Sequence, residues 1–301
     1  MGDKMHERLN KCPLCKSGHF LNYSTIKDWA VSKEEFILCE CQDCKLIFTN
    51  PRPTEEKIGS YYEFPEYYSH QDESKGLIQG IYNQIRKINI SKKYNLISSL
   101  GTDKSILDIG CGTGELLKHF QEKSWNVTGV EPNKNARQLA KKKLESKVYK
   151  SLKKVAEDRS FDIISLFHVL EHVHDLRKSL KKILTILKSD GYIILALPNH
   201  QSKDAKKYKN YWAGWDVPRH LYHFDPESVK NLAEKYNLEI VAQKPMIFDS
   251  YYASLLSEKY QAPNSGNLTN LMRSFFEGMK SNKEAKKSGN YSSILYILSK
   301  K

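Results

Sequence analysis

Two kinds of chemistry are written into short stretches of this sequence. The first is metal binding. Cys12 and Cys15 form one C-x-x-C in "CPLC", and Cys41 and Cys44 form another in "CECQDC". Each pair can grip one metal ion from a tight turn, and two pairs complete a tetrahedral thiolate site suited to zinc. The 25 residues between them, 16 to 40, must then form a long hairpin. Cys39 is left over and could replace Cys41 as a ligand. A closed four-thiolate site of this kind is structural rather than catalytic.

The second is a phosphate-like cradle that lacks the features for phosphate. "ILDIGCGTGE" (106–115) places Gly110, Gly112 and Gly114 directly after an apolar run. A strand, a glycine turn and a helix present backbone N–H groups at the carboxyl end of the strand. The dinucleotide fingerprint G-x-G-x-x-G/A fails at its last position, which is Glu115, and no G-x-x-x-x-G-K-[ST] occurs. Asp108 adds a second carboxylate. Such a loop suits a ligand carrying an ammonium and a sulfonium better than a pyrophosphate.

The elements around these stretches alternate. From residue 105 on, "SILDI", "NVTGVE", a short "KVY", "FDIISLF" and "GYIILALP" read as strands, with helical stretches between them. "DPESVKNLAEKY" reads as a helix with Asp225 as N-cap and Pro226 at its first position. "LEIVAQKPM" and "SSILYILSK" read as two late strands. Alternating β and α units predict a parallel sheet with helices on both faces. The segment 48–70 reads as an irregular linker with a short helix, and 75–100 as one or two amphipathic helices. The expected division is a zinc-ribbon module over 1–55, a linker with helices over 56–100, and an α/β domain over 101–301. The last carries a lid insert at about 249–290.

Composition narrows the partners. The net charge is +13, but only 8 of the 48 basic residues are arginine, the better side chain for bidentate recognition of phosphates and bases. Nucleic acid is therefore possible but not favoured. The longest apolar run, Tyr192–Leu197, is far too short to span a membrane. The first residues contain no apolar signal region, so a reducing cytoplasm is the expected setting.

"LDIGCGTGELL" resembles the first motif of class I S-adenosylmethionine-dependent methyltransferases. "VEPN", "FDIISLFHVLEHVHD" and "GYIILALPN" are similar, in order, to that family's second, fourth and fifth strands with their loops. The closer likeness is to the branch of ubiquinone-type methyltransferases, here with an added zinc ribbon. The resemblance implies a seven-stranded, mostly parallel, doubly wound sheet whose last strand is antiparallel. It implies S-adenosylmethionine as cofactor, held by Asp108, Gly110, Cys111, Gly112, Gly114, Glu131, Pro132 and His168, with Glu131 on the ribose hydroxyls. The family often has an acid after the third strand to meet the adenine. "KVYKSLKK" offers none, so Ser151 or a backbone group takes that role.

The same resemblance directs attention to "FHVLEHVHD", with His168, Glu171, His172 and His174, as a lining of the cofactor and substrate clefts. Glu171 and His172 line that site or merely fix the loop, and the H-x-x-E-H spacing needs no metal there. "YKNYWAGWDVPRHLYHFD" (208–225) concentrates aromatic and basic residues after the fifth strand. It supplies either a substrate wall of Trp212, Trp215, Arg219 and His223 or an aromatic cluster that packs the loop down. "RHLYHF" is similar to a segment of zinc-containing sugar C-methyltransferases in which a histidine acts as base, and His220 matches it. Arg219 stands where those enzymes have Glu, and it predicts an acidic acceptor. The expected activity is methyl transfer to a small O- or C-nucleophile, quinol-like or sugar-like, with His220 and His168 as catalytic residues. The alternatives are methylation of RNA or protein, or cofactor binding without catalysis.

Overall fold

The computed structural model describes residues 5–62, 77–101 and 103–301. The expected linker residues 63–70 and the first positions of the 75–100 helix lie outside them. The chain divides into two compact units. One comprises Met1–Phe64, Leu170–Arg177 and Ala196–Tyr296, and the other Pro65–Val169, Lys178–Leu195 and Ile297–Lys301.

The first unit begins with the short strand β1 (His6–Glu7), which pairs antiparallel with β5 (Arg52–Pro53). Strands β2 (Phe20–Lys27) and β3 (Glu35–Cys41) form the long hairpin that the cysteine spacing requires, and β4 (Ile47–Thr49) pairs with β3. A fourth strand, β11 (Tyr222–His223), joins β4 antiparallel, so residues far along the chain complete this sheet. The expected short linker helix is a single 3₁₀ turn, Ile58–Tyr62.

The parallel strands form as their apolar runs demand. β6 (Ser105–Ile109), β7 (Asn126–Val130), β8 (Val148–Tyr149) and β9 (Phe161–Phe167) are nearly all buried, and β6 pairs in parallel with both β7 and β9. With β10 (Leu187–Pro198), β12 (Leu238–Pro245) and β13 (Ser293–Lys300) they make a seven-stranded sheet of order β12-β13-β10-β9-β6-β7-β8. The terminal strand β13 runs antiparallel.

Helix α1 spans Leu77–Ser98 without a break. Helix α2 (Glu115–Gln121) starts at the glycine loop, and α3 (Lys134–Lys143) is capped by Asn133, whose side chain accepts from Ala136 N. Helix α4 spans Leu176–Ile186 and runs directly into β10, which begins at Leu187. The apolar run at that junction reads equally as either state. Helix α5 is Lys203–Tyr208. Helix α6 (Pro226–Lys235) has the expected N-cap: Asp225 Oδ1 accepts from Ser228 N at 2.8 Å, and Ser228 Oγ takes the Asp225 N–H at 2.9 Å. Helices α7 (Ile247–Gln261) and α8 (Asn267–Ser288) precede β13.

Candidate functional site

The glycine loop stands at the carboxyl end of β6. Gly110 (φ +76°) and Gly112 (φ +54°) both occupy the left-handed region that disfavours side chains. A Cβ on Gly110 would lie 2.4 Å from the Val169 side chain, whereas one on Gly112 would meet nothing, so the loop faces open space there. The N–H groups of Gly110 and Cys111 are tied to the Val130 carbonyl. The Glu131 carboxylate accepts from Gly112 N at 2.9 Å and from Asn133 N at 2.8 Å. Both oxygens are thereby fixed, and each keeps lone-pair capacity for a hydroxyl donor.

Asp108 is fully buried under this loop, with Ser165 Oγ donating to it at 2.7 Å. Burial raises its pKa to about 6; Glu131 adds to the rise, while the Ser165 hydrogen bond and Lys93 oppose it. Two carboxylates beside a glycine loop that leaves open space at Gly112 fit a cationic nucleoside such as S-adenosylmethionine. Cys111 packs its sulfur over Gly129, and burial pushes its thiol up and keeps it protonated. Pro132 is exposed, and its carbonyl accepts from Arg137. His168 follows the end of β9, half-buried at φ +55°. Ser151 is half-buried at the start of the turn Leu152–Lys154.

In the other unit the sulfurs of Cys12, Cys15, Cys41 and Cys44 converge within 4.8 Å of one another. Cys12 and Cys44 are 3.5 Å apart, and Cys15 and Cys41 are 3.4 Å apart. A tetrahedron with Zn–S bonds of about 2.3 Å has edges of about 3.8 Å, so the donor set fits zinc. Without a metal, the Cys12–Cys44 contact raises the Cys12 thiol and lowers Cys44, as expected of two sulfurs sharing a proton. Cys39 stands apart, its sulfur facing Asn22 Oδ1 and the Asn50 carbonyl.

The 208–225 loop is anchored to this cysteine-bearing sheet. Through β11, Tyr222 pairs with Phe48 and His223 with Ile47. Thr49 Oγ1 donates to the His220 carbonyl at 2.9 Å and meets His223 Nε2 at 3.2 Å. Trp212 and Trp215 are buried in one apolar cluster with Ile26, Phe36, Leu38 and Ile47. Their indole N–H groups donate to Asp204 and to the Lys209 carbonyl. Arg219 is 1% exposed, and its guanidinium is held by Asp28, Asp216 and the Tyr61 carbonyl. Burial would raise Asp216, but the charge of Arg219 and its hydrogen bond outweigh it and hold the carboxyl below the usual range. The arginine expected to meet an acidic acceptor is thus the centre of a buried ion-pair group. Sequence spacing gave no sign of this, because Asp28 lies 191 residues away.

His220 has a defined tautomer. Its Nδ1 lies 2.9 Å from the Gly214 carbonyl, which can only accept, so Nδ1 carries the hydrogen and Nε2 presents a lone pair. His172 is set the same way: its Nδ1 lies 2.9 Å from the Arg219 carbonyl. The two rings meet edge to face at 4.6 Å. Burial lowers the His172 pKa to about 4, with the neighbouring His220 adding to the fall, so His172 is neutral near pH 7. Buried Glu171 joins them: one ligand atom from each of Glu171, His172 and His220 lies within 4.8 Å of the others, a set able to hold a metal ion. The local motif could not reveal this grouping, because its third member comes from a distant loop. His220 and His223 also pack beside His200, Trp212 and Gly214, too closely to leave room for a water between them. Burial pushes both His200 and His223 below the usual imidazole range.

Comparison with known proteins bears on both units. A family model described as a methyltransferase domain matches residues 82–243. The ubiquinone biosynthesis O-methyltransferase of Idiomarina loihiensis is 27% identical over 170 residues, covering 52% of this chain and 70% of that protein. The protein of the same name from Rickettsia typhi is 24% identical, covering 64% and 83%. Among solved structures, the magnesium protoporphyrin IX methyltransferase of Synechocystis with bound SAH covers 82% of this chain and all of its own, at 11% identity and a TM-score of 0.53, a likeness of fold.

Proposed function

This chain belongs to the methyltransferase-domain family, and on that premise we propose that it moves a methyl group to a small-molecule oxygen or carbon acceptor, with His220 removing the acceptor's proton. It is an S-adenosylmethionine-dependent methyltransferase. When bound, the cofactor supplies an electrophilic methyl on a sulfonium. Asp108, Gly110, Cys111, Gly112, Gly114, Glu131, Pro132 and His168 are the residues proposed to hold it. Asp108 faces its positive charge, and Glu131 accepts from the ribose hydroxyls. Alignment of donor and acceptor, with removal of one proton, is the protein's main task in such an in-line displacement.

The observation that carries the base assignment is the hydrogen bond from His220 Nδ1 to the Gly214 carbonyl. It commits Nδ1 as a donor, which makes Nε2 the ring's basic nitrogen, the atom a general base would use. An O-methylated, quinol-like acceptor is favoured by the names of the relatives, and a sugar-like one by the likeness of "RHLYHF". Trp212, Trp215 and Arg219 serve this site by building and anchoring its loop, because their polar groups are engaged within the fold, and His223 is anchored through Nε2 to Thr49. The four thiolates hold a structural zinc in a module over about 1–55. The remaining division is a linker with helices over 56–100 and a catalytic domain over 101–301 with an insert at about 249–290.

The test is to supply methyl-labelled S-adenosylmethionine with phenolic and quinol acceptors, and separately with nucleotide sugars, and to follow the label by mass spectrometry. Transfer to one of these classes is the expected result. Transfer to RNA or protein alone, with the steep salt dependence of polyanion binding, would replace this reading.

A further inference from the structure

Helices α7 and α8 are built inside out. On α8 the buried face is Asn270, Ser274, Gly278, Ser281, Asn282 and Ala285, a single 3.6-residue stripe of small and polar side chains. The exposed face is Leu268, Leu271, Met272, Phe275, Phe276 and Met279, at spacings of one continuous helical stripe. Helix α7 shows the same inversion: Ser250, Ser254, Ser257 and Glu258 are buried, while Ile247 and Tyr252 are exposed.

The inward faces are closely fitted rather than loose. A Cβ on Gly278 would come within 2.6 Å of the Tyr251 ring. Ser250 Oγ reaches the Gly278 carbonyl at 3.3 Å, and Ser281 Oγ donates to Asp204 at 2.7 Å. Exposure of the phenylalanines is therefore a consequence of specific packing. In water, a helix pair ordinarily buries its leucines and phenylalanines and leaves its serines outside. Small residues along the seam with an apolar exterior are the pattern of helices that meet lipid. Neither helix is long and apolar enough to cross a membrane, so the apolar face would lie along a surface rather than span it.

Charge selects the kind of surface. Beyond Met279 the same stripe continues into Lys283 and Lys286, both exposed, with Lys280 and Lys287 beside them. Helix α8 carries five basic residues against Glu277 and Glu284, and Glu277 is already paired with Lys207 and Lys280. A second copy of this chain would bring the same +13 net charge to the contact. Anionic headgroups would instead complement it, each lysine near the surface contributing roughly fivefold to partitioning. We propose that the α7–α8 hairpin docks the Leu268–Met279 face of α8 onto an anionic lipid bilayer surface, with Lys283, Lys286 and Lys287 at the headgroups.

The experiment is co-sedimentation of the full chain with phosphatidylcholine vesicles, and with vesicles containing about 30% phosphatidylglycerol, at about 0.1 M salt. The chain should pellet with the anionic vesicles and far less with the neutral ones. F275S/F276S should lower that partitioning by about tenfold or more, and K283Q/K286Q/K287Q should lower it and flatten its salt dependence. Both variants change exposed positions, so Tm and S-adenosylmethionine affinity should stay at the parental values. Failure of the parent to bind anionic vesicles would overturn the proposal, as would equal binding by F275S/F276S. A dimer in analytical ultracentrifugation that F275S/F276S dissociates would assign the face to a second copy instead and overturn it too.

Discussion

Arg219 Nη2 lies 2.9 Å from Asp28 Oδ1, and both side chains are sealed from solvent. This contact joins the cysteine-bearing hairpin to the loop that carries His220. Asp28 also accepts from the N–H groups of Ala30, Val31 and Ser32, so its own turn holds the carboxylate as well as the arginine does. Arg219→Met should therefore act on stability first. Removing one partner of a buried ion pair leaves an uncompensated charge, typically costing about 3–5 kcal/mol. Urea denaturation should show a loss of that order. A variant of parental stability with weakened affinity only for acidic acceptors would restore the substrate-contact role suggested by residue type.

The thiolate cluster makes a second prediction. Protein purified without a tag should contain one zinc per chain by elemental analysis. Cys15→Ser or Cys41→Ser should lose it and lower Tm by at least about 5 °C, since metal binding is linked to folding. Cys39→Ser should keep the metal, because its sulfur faces Asn22 and Asn50 rather than the cluster. The β4–β11 pairing joins the cysteine-bearing sheet to the loop that carries His220. Metal removal should thus depress activity without any zinc chemistry in the reaction.

What the sequence disclosed follows the range of the interactions. Local signals read well: the glycine turn, the Asp225–Ser228 cap and the hairpin between the two cysteine pairs each depend on residues close together in the chain. Long-range partners were invisible. Arg219, Trp212 and Trp215 have the residue types of a binding wall, yet their partners make them framework. Asp28 meets the guanidinium from the amino-terminal hairpin, and Asp204 meets the Trp212 indole. The His172–His220 pairing is equally non-local, as is the cysteine sheet's fourth strand. The inverted polarity of α8 was concealed for another reason: its periodicity is that of an ordinary amphipathic helix, and only packing shows which face is inside.

Asp108 should couple cofactor binding to pH. Its folded pKa of about 6 lies above the ordinary value of 3.8. The sign follows from the protonated form being favoured in the apo fold. The stabilising contribution, on the order of 3 kcal/mol, is fully present below about pH 4 and is lost as pH rises through about 6. A cation bound beside Asp108 favours its ionised form. S-adenosylmethionine affinity should accordingly strengthen between pH 5 and 7, with proton release on binding near pH 6. Calorimetry in buffers of different ionisation enthalpy measures that release. Asp108→Asn should abolish it and flatten the profile, whereas a wild-type affinity constant over this range would exclude the coupling.

Glu131 tests the cofactor cradle independently. Its carboxylate is held by Gly112 N and Asn133 N. Loss of hydrogen bonds from a ligand to a charged acceptor costs roughly 1.5–3 kcal/mol. Glu131→Ala should weaken S-adenosylmethionine binding by about that amount in isothermal titration, while Glu131→Gln should retain part of it. Binding of NAD in place of S-adenosylmethionine would contradict the assignment.

The last prediction separates a basic His220 from a structural one. The ring is buried, donates through Nδ1 to the Gly214 carbonyl, places Nε2 3.9 Å from Asp216 Oδ2, and meets the His172 ring edge to face. The loop's backbone is held by further bonds besides that of the ring, from Thr49 Oγ1 to the His220 carbonyl and from Thr49 N to the Leu221 carbonyl. Asparagine at 220 keeps a donor near Gly214 and removes only the basic nitrogen. General-base catalysis is typically worth about 10²–10⁴ in rate. His220→Asn should therefore leave Tm and S-adenosylmethionine affinity close to parental values and lower kcat by that factor. The remaining rate should rise with pH in proportion to the ionised fraction of a weakly acidic acceptor, because hydroxide equilibrium then replaces the missing base. A structural histidine gives the opposite pattern: a lower Tm, a modest change in kcat, and an unchanged pH profile.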